Sequence, residues 1–137
     1  MVKNIIRKSL LEQGLTLSEK FILSSNNQIQ EKFLEYLSTV EFKKILLYSP
    51  YKNEIKLDLV LKKLNEMQKE IFIPKVFPNN ELKFNLLESC NQLIKNKYNI
   101  LESQSNLFVK ANMINVLVVP FLGIDGNGKR LGYGGGY

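Results

Sequence analysis

The stretch VLVVPFLGIDGNGKRLGYGGGY, residues 116–137, runs from an aliphatic block through Pro120 into a glycine-rich segment. Residues 116–119 read as a buried strand closed by Pro120, because a short, wholly apolar, β-branched run has no solvent face. The segment leaving the C-terminal end of such a strand is informative, since ligands sit there in open α/β sheets. Seven of the eight glycines fall in the last fifteen residues. Glycines let backbone N–H groups approach an anion closely and form a nest around it. Lys129 and Arg130 add positive charge, so phosphate is the guest this segment suits. Residues 125–137 are therefore read as a phosphate-binding loop; composition alone also allows a flexible glycine-rich tail. Two familiar motifs fail. Gly123 and Gly128-Lys129 have P-loop spacing, but Arg130 stands where a magnesium-holding Ser or Thr belongs, and no amphipathic helix comes after it. Leu131 occupies the third glycine position of a dinucleotide fingerprint.

Upstream, the spacing predicts a helix over 2–13, with Ile5, Ile6, Leu10 and Leu11 on one face and Gly14 as its stop. Thr16 and Glu19 form a capping-box pattern for a second helix reaching Ser38, with Leu17, Phe21, Ile29, Phe33, Tyr36 and Leu37 inward. Residues 45–49 read as a buried strand before Pro50, 57–67 as an amphipathic helix, 71–73 as a strand closed by Pro74, and 82–85 as a short strand. Residues 105–115 read as weakly helical. Strands this apolar, alternating with helices, argue for α/β with a largely parallel sheet. A length of 137 residues, 45% apolar, with no low-complexity linker, suits a single domain over 1–137.

Composition excludes several chemistries. The chain has no His, hence no His base, Ser–His pair or His metal site. Cys90 is the only cysteine, so there is neither an intrachain disulfide nor a thiolate zinc cluster, and a reducing, cytoplasmic setting is expected. The longest apolar run, 116–124, has nine residues against the roughly 20 of a membrane span. The net charge of +6 is carried almost wholly by Lys. Its aromatic residues sit at core spacing and do not interleave with Lys as a nucleic-acid stacking platform would, so no nucleic-acid partner is expected.

The pattern Asp125-x-x-Gly128-x-Arg130-Leu131-Gly132-x-Gly134-x-Gly136-Tyr137, behind a strand and Pro120, resembles the signature of 5-formyltetrahydrofolate cyclo-ligases, also called 5,10-methenyltetrahydrofolate synthetases. Other segments fall in order. Lys3-x-x-Ile6-Arg7 resembles the family's opening basic pair, and residues 48–54, with Glu54 after a strand, resemble its substrate-binding stretch. Residues 71–76 and 82–84 resemble the next strands, and Ile100-Leu101-Glu102 the Ile-x-Glu-Pro step. Departures are Phe121, Gly123 and Ile124 for Gly, Ala and Phe, Lys56 and Leu57 for Asp and Thr, and Ser103 for Pro. The family continues past the position of Tyr137 with Tyr, Asp and Arg, then further sheet and helix; that Asp is the magnesium ligand the resemblance would have supplied.

The resemblance implies a three-layer, Rossmann-like α/β fold with helices on both faces, here without its C-terminal elements. It implies conversion of 5-formyltetrahydrofolate to 5,10-methenyltetrahydrofolate with ATP and Mg2+, in a protein that is monomeric when complete. Lys3, Arg7, Arg130, Leu131, Gly132, Tyr133, Gly134, Gly135, Gly136 and Tyr137 would hold ATP. Arg130 and Glu54 would carry the chemistry. Ser49, Glu54 and Tyr137 would line the folate pocket, and no metal ligand is assigned. The alternative is an inactive, truncated remnant of the same family. Taken singly, Lys3 and Arg7 are also a solvated helix face, Glu54 a surface loop residue, and Asp125 a turn residue bonding its own backbone.

Overall fold

The computed structural model describes residues 1–78, 81–88 and 93–134. Helices α1 (Val2–Leu15) and α2 (Glu19–Ser38) open the chain, followed by β1 (Lys44–Leu46), α3 (Asp58–Glu66), β2 (Glu70–Val76) and β3 (Leu82–Leu86). Then come β4 (Leu93–Lys95), β5 (Leu101–Ser103), β6 (Phe108–Val109), a 3-10 turn (Ala111–Met113), β7 (Val116–Leu117), β8 (Gly123–Ile124) and β9 (Arg130–Leu131). Five strands form one sheet in the order β6-β3-β2-β1-β7, and two hairpins, β4-β5 and β8-β9, stand apart. The architecture is mixed α/β. The sheet is parallel only at β2-β1-β7; β3 and β6 join antiparallel, because β2 turns back into β3 without a crossover helix.

The main core cluster lies on one face of this sheet, and Leu46 and Phe72, which alternate with its members, are buried on the other. Ile45 and Leu47 of the β1 segment and Ile71 and Ile73 of β2 meet Leu37 of α2 and Leu57, Val60 and Leu64 at α3. α3 follows its expected pattern. α2 does not. Phe21, Ile29 and Tyr36 are exposed, whereas Asn26 and Gln30 are buried with Leu37. The N-terminal side of α3 explains this. Leu57 cannot cap the helix with its side chain, and the Gln30 carboxamide does so from α2, accepting from the N–H groups of Leu59 (2.9 Å) and Val60 (3.2 Å) while donating to Asp58 (3.1 Å). Helix N-termini leave such donors unsatisfied, and burying them unpaired is costly.

Four further expectations change. The capping box is displaced: Ser18 caps α2 by accepting from the Phe21 N–H, and the Thr16 hydroxyl donates back to the Gln13 carbonyl at the end of α1. Pro74 does not close β2, because it lies past the end of β1, where its missing N–H leaves no ladder bond unmade. Residues 105–115 keep only a 3-10 turn at Ala111–Met113; Phe108 and Val109 pair with Asn85 and Phe84 on β3, and pairing overrides weak local preference. The β4-β5 hairpin was not anticipated. It clamps the ends of the central strands: the Ser49 hydroxyl donates to the Leu101 carbonyl (2.7 Å), and the Val76 N–H donates to the buried Glu102 carboxylate (3.2 Å). Cys90 lies outside the described residues. Among the described residues no helix is long and apolar enough to cross a membrane.

Replacing Gln30 by Ala should destabilise the fold by about 2–3 kcal/mol, since the buried N–H of Val60 and the part-buried N–H of Leu59 lose their acceptor. Urea denaturation followed by far-UV circular dichroism measures this; the exposed Gln28, which only meets Ser24, serves as a control expected within about 0.5 kcal/mol of the parent.

Candidate active site

The glycine-rich segment begins as a hairpin. β8 pairs Gly123 with Leu131 and Ile124 with Arg130 of β9. Asp125 closes the turn, its Oδ1 accepting from the N–H groups of Asn127 (2.9 Å) and Lys129 (2.8 Å). Gly128 takes the left-handed conformation the turn requires, at φ +78°. The single phosphate loop expected over 125–137 is thus divided: 123–131 is a hairpin, and the glycine run that could face an anion starts at Gly132. Gly135, Gly136 and Tyr137 lie outside the described residues.

α1 seats this hairpin. The Arg7 Nε donates to the Gly132 carbonyl (2.9 Å), and its Nη1 donates to Asn4 Oδ1 (2.7 Å). Guanidinium carries five N–H donors, and these bonds use two of them. Gly134, at φ +92°, lies flat against it; a Cβ there would sit 3.4 Å from Arg7 Cζ and Nε. Lys3 projects from the same helix one turn earlier and is exposed, as is the Arg130 side chain on β9. Leu131 and Gly132 are half-buried.

The second half of the site sits beyond β1. The Glu54 N–H donates to the Tyr51 carbonyl (3.1 Å), and Glu54 Oε2 accepts from the Tyr51 N–H (2.8 Å), closing a turn. The Lys56 N–H donates to Asn26 Oδ1 (2.9 Å), and the Tyr48 hydroxyl donates to the Ile55 carbonyl (2.7 Å). Burial holds the Glu54 carboxyl above the ordinary carboxylate range, against the lowering effect of its Tyr51 bond and of Lys56. Burial also raises the Tyr48 phenol, with Glu54 and then Tyr133 adding to the shift, and raises Tyr133, with Glu54 adding. Tyr133, which follows Gly132, and the Glu54 turn thus feel one another electrostatically. Beside them opens an apolar cleft of about 380 Å³ lined by Ile29, Phe33, Tyr48, Ile55, Val118 and Phe121 among others.

The fold sets Arg7 against Gly132 and Gly134, and Glu54 acts electrostatically on Tyr133. Ser49 is not brought to Glu54 by any bond; its hydroxyl is committed to β5. Tyr48 and Asn26 were missed as supports of the Glu54 turn. Tyr48 begins the stretch read as substrate-binding, but nothing in its local sequence marks a hydroxyl that reaches seven residues ahead.

Three comparisons bear on this arrangement. The model of the 5-formyltetrahydrofolate cyclo-ligase family matches residues 1–137. The chain belongs to that family. A 5-formyltetrahydrofolate cyclo-ligase of Mycoplasma pneumoniae is 28% identical over 139 residues, spanning 100% of this chain and 74% of its own length. The Mycoplasma genitalium cyclo-ligase is also 28% identical, over 98% of this chain and 73% of its own. The solved 5,10-methenyltetrahydrofolate synthetase of M. pneumoniae superposes with a TM-score of 0.79 at 27% identity, covering 100% of this chain and 74% of its own. That of Aquifex aeolicus, determined by NMR, gives 0.80 at 29%, covering 100% and 70%. The chain thus spans about three quarters of the length of these relatives, and its enzyme type is that of a cyclo-ligase.

Two measurements test the site's construction. Gly134→Ala should displace the Arg7 guanidinium and shift its Nε–Hε NMR signal, readily assigned with Arg130 as the only other arginine. Gly126→Ala, where nothing lies within 4 Å, should leave that signal in place. For Glu54 the sign is that of a carboxyl whose folded pKa is raised: the native state binds the extra proton, so stability falls as pH rises from the ordinary carboxylate range through the raised folded value. Denaturation across that interval should show the fall in the parent and its loss in Glu54→Gln.

Proposed function

We propose that this chain carries the site for ATP-dependent conversion of 5-formyltetrahydrofolate to 5,10-methenyltetrahydrofolate, releasing ADP and phosphate. The observation that carries the reading is a glycine run braced by an arginine, in a chain whose Glu54 turn stands beside an apolar cleft.

The chemical problem is an unreactive amide. The N5-formyl carbon resists attack by N10, and its oxygen is a poor leaving group. Transfer of the γ-phosphoryl group to that oxygen breaks the bond to ADP and leaves a phosphorylated iminium. N10 then bonds to the formyl carbon and loses its proton to solvent, and the C–O bond breaks to release phosphate. No strong side-chain base is needed, and the chain, without His, offers none of that type. What the protein supplies is placement and charge. In this reading Lys3 and Arg7 hold ATP phosphates from α1. Arg130 and the N–H groups of 132–136 stabilise the transferring group. Glu54 hydrogen-bonds the folate near the formamide, and Tyr133 and Tyr137 pack around it.

Magnesium is part of the family's chemistry. Among the described residues no three His, Cys, Asp or Glu side chains gather as a metal site, and Asp125 Oδ1 is engaged by its own turn. These residues do not fit a protein-held ion.

The test is formation of methenyltetrahydrofolate, followed by its near-ultraviolet absorbance, from 5-formyltetrahydrofolate with ATP. Turnover should fall about 100-fold in Arg130→Ala, the loss expected for one transition-state charge partner. If the chain forms no product and binds neither ATP nor 5-formyltetrahydrofolate, the reading fails in favour of an inactive remnant.

A further inference from the structure

We propose that Tyr48 is a positioning residue for Glu54 and sets affinity for the folate: its hydroxyl straps the Glu54 turn to the end of β1. The inference rests on the folate reading above and goes beyond it, since the stretch 48–54 is read as substrate-binding without a role for the Tyr48 hydroxyl.

The turn needs a strap. No side chain of residues 49–56 is buried, so packing does not hold this segment. Lys52 within it takes a left-handed conformation, at φ +52°, which is uncommon for a residue with a side chain. The bonds that close it are local, Glu54 with Tyr51, and would let the closed turn swing as a unit. Three bonds reach outside, and the Ser49 hydroxyl on Leu101 lies at the far start of the segment, five residues before Glu54. Asn26 holds Lys56, beyond Glu54 on the α3 side. Tyr48 holds the Ile55 carbonyl, the position next to Glu54, from a residue whose ring packs on the sheet core. The anchor is therefore rigid at one end and adjacent to the functional carboxylate at the other. Its ring also lines the apolar cleft, so one side chain fixes both the carboxylate and a wall of the cavity beside it. Burial, together with the neighbouring Glu54 and Tyr133, keeps the phenol protonated, so it remains a donor throughout the neutral range.

Tyr48→Phe keeps the ring and removes only the donor. Isothermal titration of the chain with 5-formyltetrahydrofolate should show affinity weakened about three- to tenfold, the range of one hydrogen bond, with ATP affinity unchanged. In a Glu54→Ala background the same substitution should cost nothing further, because its effect runs through Glu54. Hydrogen exchange at the Glu54 N–H, read without ligand, should quicken in Tyr48→Phe. Unchanged folate affinity in Tyr48→Phe, or an equal loss in both backgrounds, overturns the positioning role while leaving the folate reading intact. A parent chain that does not bind 5-formyltetrahydrofolate overturns that reading and this inference with it.

Discussion

Asn26 and Gln30 are buried on a helix that leaves Phe21, Ile29 and Tyr36 exposed, and the placement of the site depends on these two carboxamides. A buried amide is tolerated only when its groups are bonded. Gln30 meets that condition with both ends, accepting from Leu59 and Val60 and donating to Asp58. In doing so it supplies the cap that Leu57 cannot, and orients α3 so that Val60 and Leu64 fall on Ile45 and Ile71. Asn26, one turn earlier on α2, receives the Lys56 N–H. One helix face therefore fixes the start of α3 and the end of the segment that carries Glu54. Apolar residues in the same positions would bury more hydrocarbon but would leave those N–H groups without partners.

This constraint also explains how much could be read from the chain alone. The α/β class, the core positions of α3 and the apolar strand segments around 45, 71 and 116 were legible, because periodicity and burial agree there. α2 was misread in its facing, because hydrophobic spacing cannot reveal that two amides are worth more inside than Phe21 or Tyr36. Residues 105–115 were misread because a two-residue strand takes its identity from its partner, here Phe84 and Asn85. The parallel character of the sheet was overestimated for the same reason: the apolar run of β2 looks alike whether β3 returns beside it or crosses over.

The site divides similarly. The glycine pattern from Gly132 onward and its basic partner Arg7 stand in linear motifs, and the fold joins them by a bond between residues 125 positions apart. Tyr48 stands in the substrate-binding stretch, but nothing there marks its hydroxyl. It matters because the chain turns at 51–54 and brings the Ile55 carbonyl back to it, a fact of three-dimensional arrangement that spacing does not encode.

The two halves of the site are held with unequal strength. The Glu54 half is tied to the core through Asn26 and Tyr48. The phosphate half is not: α1 buries no residue, and it meets the hairpin through the Arg7 bond to Gly132 and the approach of Leu10 to Gly123. Segments with so little buried contact open at low cost. The electrostatics agree. Glu54 is raised by burial, and the cation that offsets this is Lys56 of its own segment; Lys3, Arg7 and Arg130 are not among the groups that act on it. Under the proposed function, phosphoryl transfer requires its partners within contact distance, and the part of the fold free to adjust to a bound ligand is α1 with its hairpin, whose anchoring is weakest.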